Sequence, residues 1–331
     1  MNVKHLPTFI IAFAAMLFAW NTISMAATPL GDTNKIYQIG GGPSGGNFYP
    51  MAVGIEKVLR EKMNSPYRTV VVATGGSLDN ANLVGSREAD MAIIPQLDAQ
   101  ALYDGTGVWE GEPFHDLRII TPLIPGQGRI VFQSGLDIKS LADLKGKRFS
   151  PGQMGGGELT FKEIWTVCGF SYDDLKIEYL DMGGMVSAMK DNQIDACFFA
   201  GSEPYANLMD LKTSMGSGVR IYSFTDEEMN QIITAVPRYA PWVTKAGTYP
   251  NQNYDANIVS YHYYLGTTKD LPADLAYDAA KGLNEQQKWL STIHAGYVNL
   301  DVAKAPGIMS MTTIPIHDGA LKYWKEVGAI K

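Results

Sequence analysis

Cysteine is almost missing from this chain. Cys168 and Cys197 are the only two in 331 residues, too few for a disulfide scaffold or a Cys-rich metal knuckle. Histidine is nearly as scarce. His5, His115, His262, His294 and His317 are scattered, with no partner three or four residues away, so metal catalysis is not expected and no cofactor is called for. Base is outweighed by acid, 27 residues against 34 for a formal charge of −7. Nucleic acid rewards a basic face that displaces condensed counterions, and an anionic membrane surface asks for the same sign, so neither partner is expected. Beyond residue 27 no apolar run approaches the roughly 20 residues of a membrane helix. A Gly-Lys-Ser/Thr phosphate loop and a His/Cys/Asp constellation are also lacking. The reading is therefore of a protein that is not an enzyme, with an exported enzyme as the weaker alternative because carboxylates are too common to dismiss.

The first residues stand apart. Lys4 and His5 precede an uncharged apolar run, Leu6 to Trp20, and Ser24-Met25-Ala26 supplies small residues where a signal peptidase reads. That run suits the core of a secretory signal better than a membrane span. Residues 1–26 are expected to be removed, leaving a soluble periplasmic product; an uncleaved anchor is the alternative. In an oxidising compartment Cys168 and Cys197 are either two buried thiols, the favoured reading, or one disulfide.

What the chain has in excess is glycine, 34 residues where the usual share is about 7%. Apolar periodicity places these glycines. A strand over 35–40 runs into GGPSGGNFYP and then a helix over 51–62; TVVVA at 69–73 ends in TGGS before a helix over 78–87; and MAII at 91–94 ends at Pro95-Gln96. A second series follows: a strand at 147–150, a glycine loop at 151–157, a helix over 158–168, a strand at 177–180, a helix over 185–190 and an apolar strand at 194–200 ending in Gly201-Ser202. Strands alternating with helices predict an α/β fold with mainly parallel sheets. Short strands are expected at 117–123 and 129–133 around a PGQG turn, a loop-rich stretch at 237–255, an aromatic strand at 259–267, and core helices over 273–294 and 319–327.

Gly40 to Gly45 satisfies G-x-G-x-x-G between strand and helix. The acidic residue that would hold a ribose is absent, since the next strand ends in Thr74 and two glycines, so a dinucleotide is disfavoured. The remaining chemistry is anion binding: backbone N–H groups exposed by glycine at a helix start, with Ser44 adding a hydroxyl. For either loop alone, a tight strand-to-helix turn without ligand is an equal alternative. Ligands in open α/β sheets sit outside the carboxyl ends of strands, where both loops fall.

The segments IGGGPSGGNFYPMAVGIEKVL, VVVATGGSLDNANLVGSREADMAII, IKSLADLKGKRFSPGQMGGGELTF, AMKDNQIDACFFAG and AGTYPNQ, in this order over nearly the whole chain after residue 26, resemble the TAXI family of solute-binding proteins of TRAP transporters. The resemblance implies a type II periplasmic-binding-protein fold with two lobes and an inter-lobe ligand cleft: lobe I from 27–125 and 265–331, lobe II from 126–264. It implies a monomer that captures a small anionic or zwitterionic solute (glutamate, glutamine or 2-oxoglutarate type) and delivers it to the TRAP permease subunits. A sensory protein presenting the solute to a receptor is the alternative. Carried over by position, Gly42, Ser44, Gly45, Gly46 and Tyr49 form one wall, with Gly76 and Ser77 after the second strand and Gln96 and Asp98 after the third. Gly155, Gly156, Gly157 and Thr160 face them, with Gly201, Ser202 and Tyr205 alongside. Relatives usually read Gly-Ser-Gly-Thr in the second loop, where this chain has Gly155-Gly156-Gly157-Glu158.

Several readings stay open. Arg129 could pair a ligand carboxylate bidentately or be a solvated or salt-bridged hinge residue. Asp98 is either a ligand contact or a helix N-cap. Glu203 is expected to face solvent unless it meets a ligand amine, and Tyr261, Tyr263 and Tyr264 are expected in packing roles.

Overall fold

The computed structural model describes residues 31–44, 46–300 and 302–331; the expected export segment and Gly45 lie outside them. The strands are β1 (Ile36–Gly40), β2 (Arg68–Val72), β3 (Met91–Pro95), β4 (Leu117–Pro122), β5 (Gly126–Gln133), β6 (Arg148–Ser150), β7 (Lys176–Ile177), β8 (Ala196–Gly201), β9 (Val219–Ile221), β10 (Ala240–Thr244), β11 (Ala256–Tyr261) and β12 (Tyr263–Thr268). The helices are α1 (Phe48–Glu61), α2 (Ser77–Gly85), α3 (Gln96–Asp104), α4 (Gly157–Val167), α5 (Met182–Lys190), α6 (Ala206–Met215), α7 (Asp226–Ala235), α8 (Ala273–Glu285), α9 (Gln287–Leu290), α10 (Ala305–Met309) and α11 (Asp318–Glu326).

Two sheets result. The first runs β2-β1-β3-β12-β4 and the second β10-β11-β5-β8-β6-β7, with β9 also on β5. Both are mixed, against the expectation of mainly parallel pairing: β1 is parallel to β2 and β3, but β12 is antiparallel to β3 and β4, and β5 is antiparallel to β8, β9 and β11. β3 is buried at every position, and its uninterrupted apolar run suits a strand with neighbours on both edges and cover on both faces. The helices supply that cover. α1 buries Met51, Ala52, Ile55, Val58 and Leu59, and α8 buries Leu275, Ala276, Ala279, Ala280 and Leu283, each an apolar stripe at 3.6-residue spacing, and the two helices pack together.

The chain passes between the sheets at two adjacent places. β4 ends at Pro122 and β5 opens at Gly126, so residues 123–125 make one crossing; Tyr261 ends β11 and Tyr263 opens β12, so His262 makes the other. The aromatic run expected as one strand is thus two strands in two sheets. The PGQG turn is mostly strand as well: Gly126, Gln127 and Gly128 pair with Tyr261, Ser260 and Val259. The added Cβ of any other residue at Gly126 would run into the Tyr263 hydroxyl and approach Tyr261 Cε2 to 2.8 Å. Glycine there serves close packing at the crossing. The stretch read as loop contains β10, which tolerates Pro241 because it pairs only with β11 and leaves one edge free. The helix expected over 273–294 ends at Gln286, whose backbone (φ −109°, ψ 24°) leaves helical geometry. α7 was not anticipated, although its capping box, Thr225 with Glu228, is legible as T-x-x-E. Cys168 and Cys197 are both free thiols.

Candidate functional site

The first glycine loop leaves β1 and enters α1. Gly42 is buried at φ +70°, 3.8 Å from the Gly76 Cα as judged from its absent Cβ, and its carbonyl accepts from Thr74 N–H at 3.0 Å. The first and second loops therefore lie side by side. Ser44 is exposed and Tyr49 half-buried, while the Gly46 N–H is used locally, donating to Pro43 O at 2.8 Å. Gly42-Pro43-Ser44-Gly45-Gly46 has the spacing of a hydrolase nucleophile elbow, but the histidine reaching this loop, His294, bonds Asn47 Oδ1 through Nε2 and accepts Gly296 N–H at Nδ1. Neither ring nitrogen is left to act on Ser44.

The loop of the second series meets these directly. At Gly156 (φ +51°) an added Cβ would sit 3.1 Å from Ser77 Oγ, and at Gly155 3.2 Å from the Leu78 side chain. Elements of the two sheets thus touch at the start of α2. Gly157 lies against Ala200, and Thr160 Oγ1 donates back to Gly156 O at 3.4 Å. One donor expected for an anion is already engaged: Gly155 N–H points at Glu158 Oε2, 3.3 Å away, with the Glu158 side chain buried. An acid in the first turn of α4 occupies the partial positive charge that a bound anion would want.

Near the crossings lies a group of buried polar side chains. Gln96 N–H donates to His262 O at 3.0 Å, and Gln96 Oε1 has no hydrogen-bond partner. Asp98 is 0% exposed and neither carboxylate oxygen has a hydrogen-bond partner. It is not the cap of α3, whose N-cap position is Pro95. Burial alone pushes its carboxyl up to about 7, because an ion out of water without a partner is costly. Arg129, on β5, is also 0% exposed, which excludes the solvated alternative. Its Nη2 donates to Gly201 O at 3.1 Å and lies 3.6 Å from Glu203 Oε1, while Nε and Nη1 have no acceptor. The guanidinium carbon lies 5.9 Å from the centre of the Tyr205 ring, within cation–π range.

Glu203 does not face solvent. Its carboxylate accepts from Trp242 Nε1 at 2.9 Å and from Thr244 Oγ1, and its N–H donates to Gln127 Oε1 at 2.8 Å. Ser202 Oγ donates to Pro125 O at 2.8 Å, tying the end of β8 to the crossing. Tyr205 N–H donates to Tyr249 Oη at 3.1 Å. Tyr261 and Tyr263 are buried, their hydroxyls 3.5 Å apart, and the Phe48 ring packs edge-on against Tyr263 at 4.8 Å between centres. Burial is the main reason the Tyr261 hydroxyl is pushed up to about 12, with the Tyr263 hydroxyl and then Arg129 opposing the rise and Asp98 adding to it. Gln127, Tyr249, Trp242 and Thr244 were not singled out from the sequence, because pairing across strands, not spacing along the chain, brings them to Arg129 and Glu203.

A surface groove of about 640 Å³ at Asp79, Asn82, Trp109 and Phe114 gathers none of these residues and is lined by elements around the first sheet alone. Among the described residues no group of His, Cys, Asp and Glu is placed to hold a metal, and no helix is long and apolar enough to cross a membrane.

The sequence pattern of the NMT1-like family matches residues 39–328. Among solved structures, the chain is similar to the alkanesulfonate-binding protein SsuA from Xanthomonas axonopodis pv. citri bound to MOPS, with a TM-score of 0.50 and 15% identity over 92% of this chain and 93% of that one. It is also similar to a protein from Bordetella bronchiseptica RB50, with a TM-score of 0.56 and 12% identity over 91% of this chain and 100% of that one. At such identities the likeness establishes the fold, a periplasmic-binding-protein-like α/β arrangement.

Proposed function

Since the chain belongs to the NMT1-like family, we propose that it is an extracytoplasmic solute-binding protein of the TAXI type, which captures a small carboxylate-bearing solute between two lobes and delivers it to a TRAP permease. In this reading each lobe is built on one of the two sheets, between which the chain crosses at residues 123–125 and at His262. The observation that carries this reading is the meeting of Gly155 and Gly156, in a loop of the second sheet, with Leu78 and Ser77, in a loop of the first. A solute touching both lobes has higher affinity for the closed arrangement than for an open one, and it shifts the population by that difference. The closed surface is what a permease would read. No step of this function needs a covalent intermediate, a metal or a cofactor.

The test is calorimetry with a panel of amino acids, 2-oxo acids, dicarboxylates and sulfonates, joined to small-angle scattering. Binding of at least one class with a smaller radius of gyration is expected. Absence of both across the whole panel overturns the proposal.

A further inference from the structure

The surface groove of about 640 Å³ beside the first sheet has no part in the solute-binding reading. One wall is α2 with the residues that follow it, and the other is the segment 109–114. That segment is held in shape by its own backbone: Glu112 N–H donates to Trp109 O at 2.9 Å, Gly111 N–H to Gly105 O at 3.0 Å, and Phe114 N–H to Leu102 O at 2.9 Å. Trp109 Nε1 donates to Asn82 Oδ1, on α2, at 2.8 Å, and the Arg87 guanidinium carbon lies 5.7 Å from the centre of the Phe114 ring. Two half-buried aromatic rings are thus fixed before anything binds, which lowers the ordering cost of an interface. Aromatic side chains are also those most enriched where interface energy concentrates.

The lining has charge of one sign. Asp79, Glu88 and Glu112 face the groove, and among the described residues no lysine or arginine lines it. None of the three acids has a basic partner there: Asp79 Oδ2 accepts Gly75 N–H at 2.7 Å, and Glu88 Oε1 accepts from Ser86 Oγ at 3.0 Å. Arg87, the neighbour of Glu88 in the chain, is engaged by Asp116 and Asp270. Unmatched acids around fixed aromatic rings complement an occupant that carries positive charge beside apolar side chains. Glu88, Glu112 and Pro113 are exposed, so the groove covers an occupant on one side only. A small ligand has most of its surface buried in its pocket, whereas a segment of a larger partner is covered on its far side by that partner. An anionic lipid surface is repelled by the same acids.

We propose that this groove docks a basic, apolar segment of a partner protein, with Trp109 and Phe114 taking an apolar side chain and Asp79, Glu88 and Glu112 the lysines or arginines that flank it. The assignment stands whether or not the cleft takes a solute. It places the partner on the helix that the second glycine loop touches, since Ser77 and Leu78 meet Gly156 and Gly155 and Asp79 follows them directly.

The experiment is fluorescence anisotropy on the full chain with labelled hexapeptides that alternate Lys or Arg with Leu or Phe. Each is paired with one counterpart carrying Glu for the base and another carrying Ser for the apolar residue. At least one basic, apolar peptide is expected to bind more than tenfold tighter than both counterparts. Trp109→Ala is expected to weaken it about 30-fold, the usual loss at an aromatic anchor. Glu88→Gln with Glu112→Gln is expected to weaken it about threefold at low salt, a difference that closes as salt rises. Asp226→Asn with Glu227→Gln, which removes the same charge from the distant α7, is expected to change nothing. No binding across the peptide panel, equal binding of the Ser counterparts, or equal weakening by the α7 pair overturns the proposal. Self-association of the chain in sedimentation that Trp109→Ala abolishes overturns it in favour of a second copy, and binding to anionic vesicles that the same variant abolishes overturns it in favour of a membrane. The wild-type panel and the two charge variants give the answer even where Trp109→Ala does not fold.

Discussion

Asp98 offers a sharp test because its cost to stability grows with pH. Burial raises its folded carboxyl from 3.8 to about 7, so in the absence of ligand the folded chain holds a proton there that the unfolded chain releases near pH 4. Stability changes with pH as the difference in bound protons, unfolded minus folded. Between pH 4 and 7 that difference is about −1, so each unit of rising pH removes about 1.4 kcal/mol, and the total over the window is about 4 kcal/mol. The stabilising protonated state is fully present below pH 4 and lost as pH rises through 7. Asn at this position has nearly the same shape and cannot ionise. Urea unfolding of wild type and Asp98→Asn, followed by tryptophan fluorescence from pH 4.5 to 8.5, isolates the contribution, since all other titrations cancel in the difference. The variant should be more stable by only about 1 kcal/mol at pH 4.5 and by about 4 kcal/mol at pH 8. Parallel pH profiles, or a variant less stable at pH 8 without ligand, would refute the placement of Asp98 as a buried, unpartnered acid.

If the proposed lobes close on a solute, Gly156→Ala should weaken its binding about tenfold, because the added Cβ meets Ser77 Oγ at 3.1 Å and overpacking typically costs about 1–3 kcal/mol; calorimetry beside a melting curve separates this from the backbone strain that φ +51° imposes on the fold itself. Thr225→Ala removes the hydroxyl that accepts Glu228 N–H at the start of α7 and should lower unfolding stability by about 1 kcal/mol with no change in affinity, as read by urea titration. Thiol titration without reductant should return two free groups after unfolding and very slow reaction when native, since Cys197 is buried and burial pushes the Cys168 thiol up to about 12; no thiols after unfolding would mean that a disulfide forms.

Much of the architecture was legible because it is local. The strand at 91–94 and the helix over 78–87 are written in apolar periodicity, and β3 (Met91–Pro95) and α2 (Ser77–Gly85) fall on them. Misreadings cluster where the chain changes sheet. VSYHYYLGT is one aromatic run, but its single residue His262 separates a strand hydrogen-bonded to β5 from one hydrogen-bonded to β3 and β4. Side-chain period cannot report this, because partners on different sheets leave the same alternation in sequence. Pro241 misled in the same way: proline excludes a central strand, not an edge strand, and edge position is decided by what lies on the other side.

The glycines show the limit more finely. As a class they suggested loops that cradle an anion, yet they divide by what surrounds them. Gly126 is small because two tyrosines press on it, whereas Gly155 and Gly156 let their loop approach the start of α2. Composition is the same in both cases and only the neighbours differ. The charged residues carry the argument further. Glu203 and Asp98 are both acids next to strand ends in the sequence, and the first was read as the solvated one. In the structure Glu203 is filled by Trp242, Thr244 and Arg129, while Asp98 has no hydrogen-bond partner. A sequence displays charge but not whether the charge is matched, and matching depends on pairs far apart in the chain, such as Glu203 with Thr244. The unmatched member of such a set is where a ligand's complementary charge lowers the free energy most. What the abundance of glycine does not display is therefore that two charged side chains, Asp98 and Arg129, are buried and left incompletely paired.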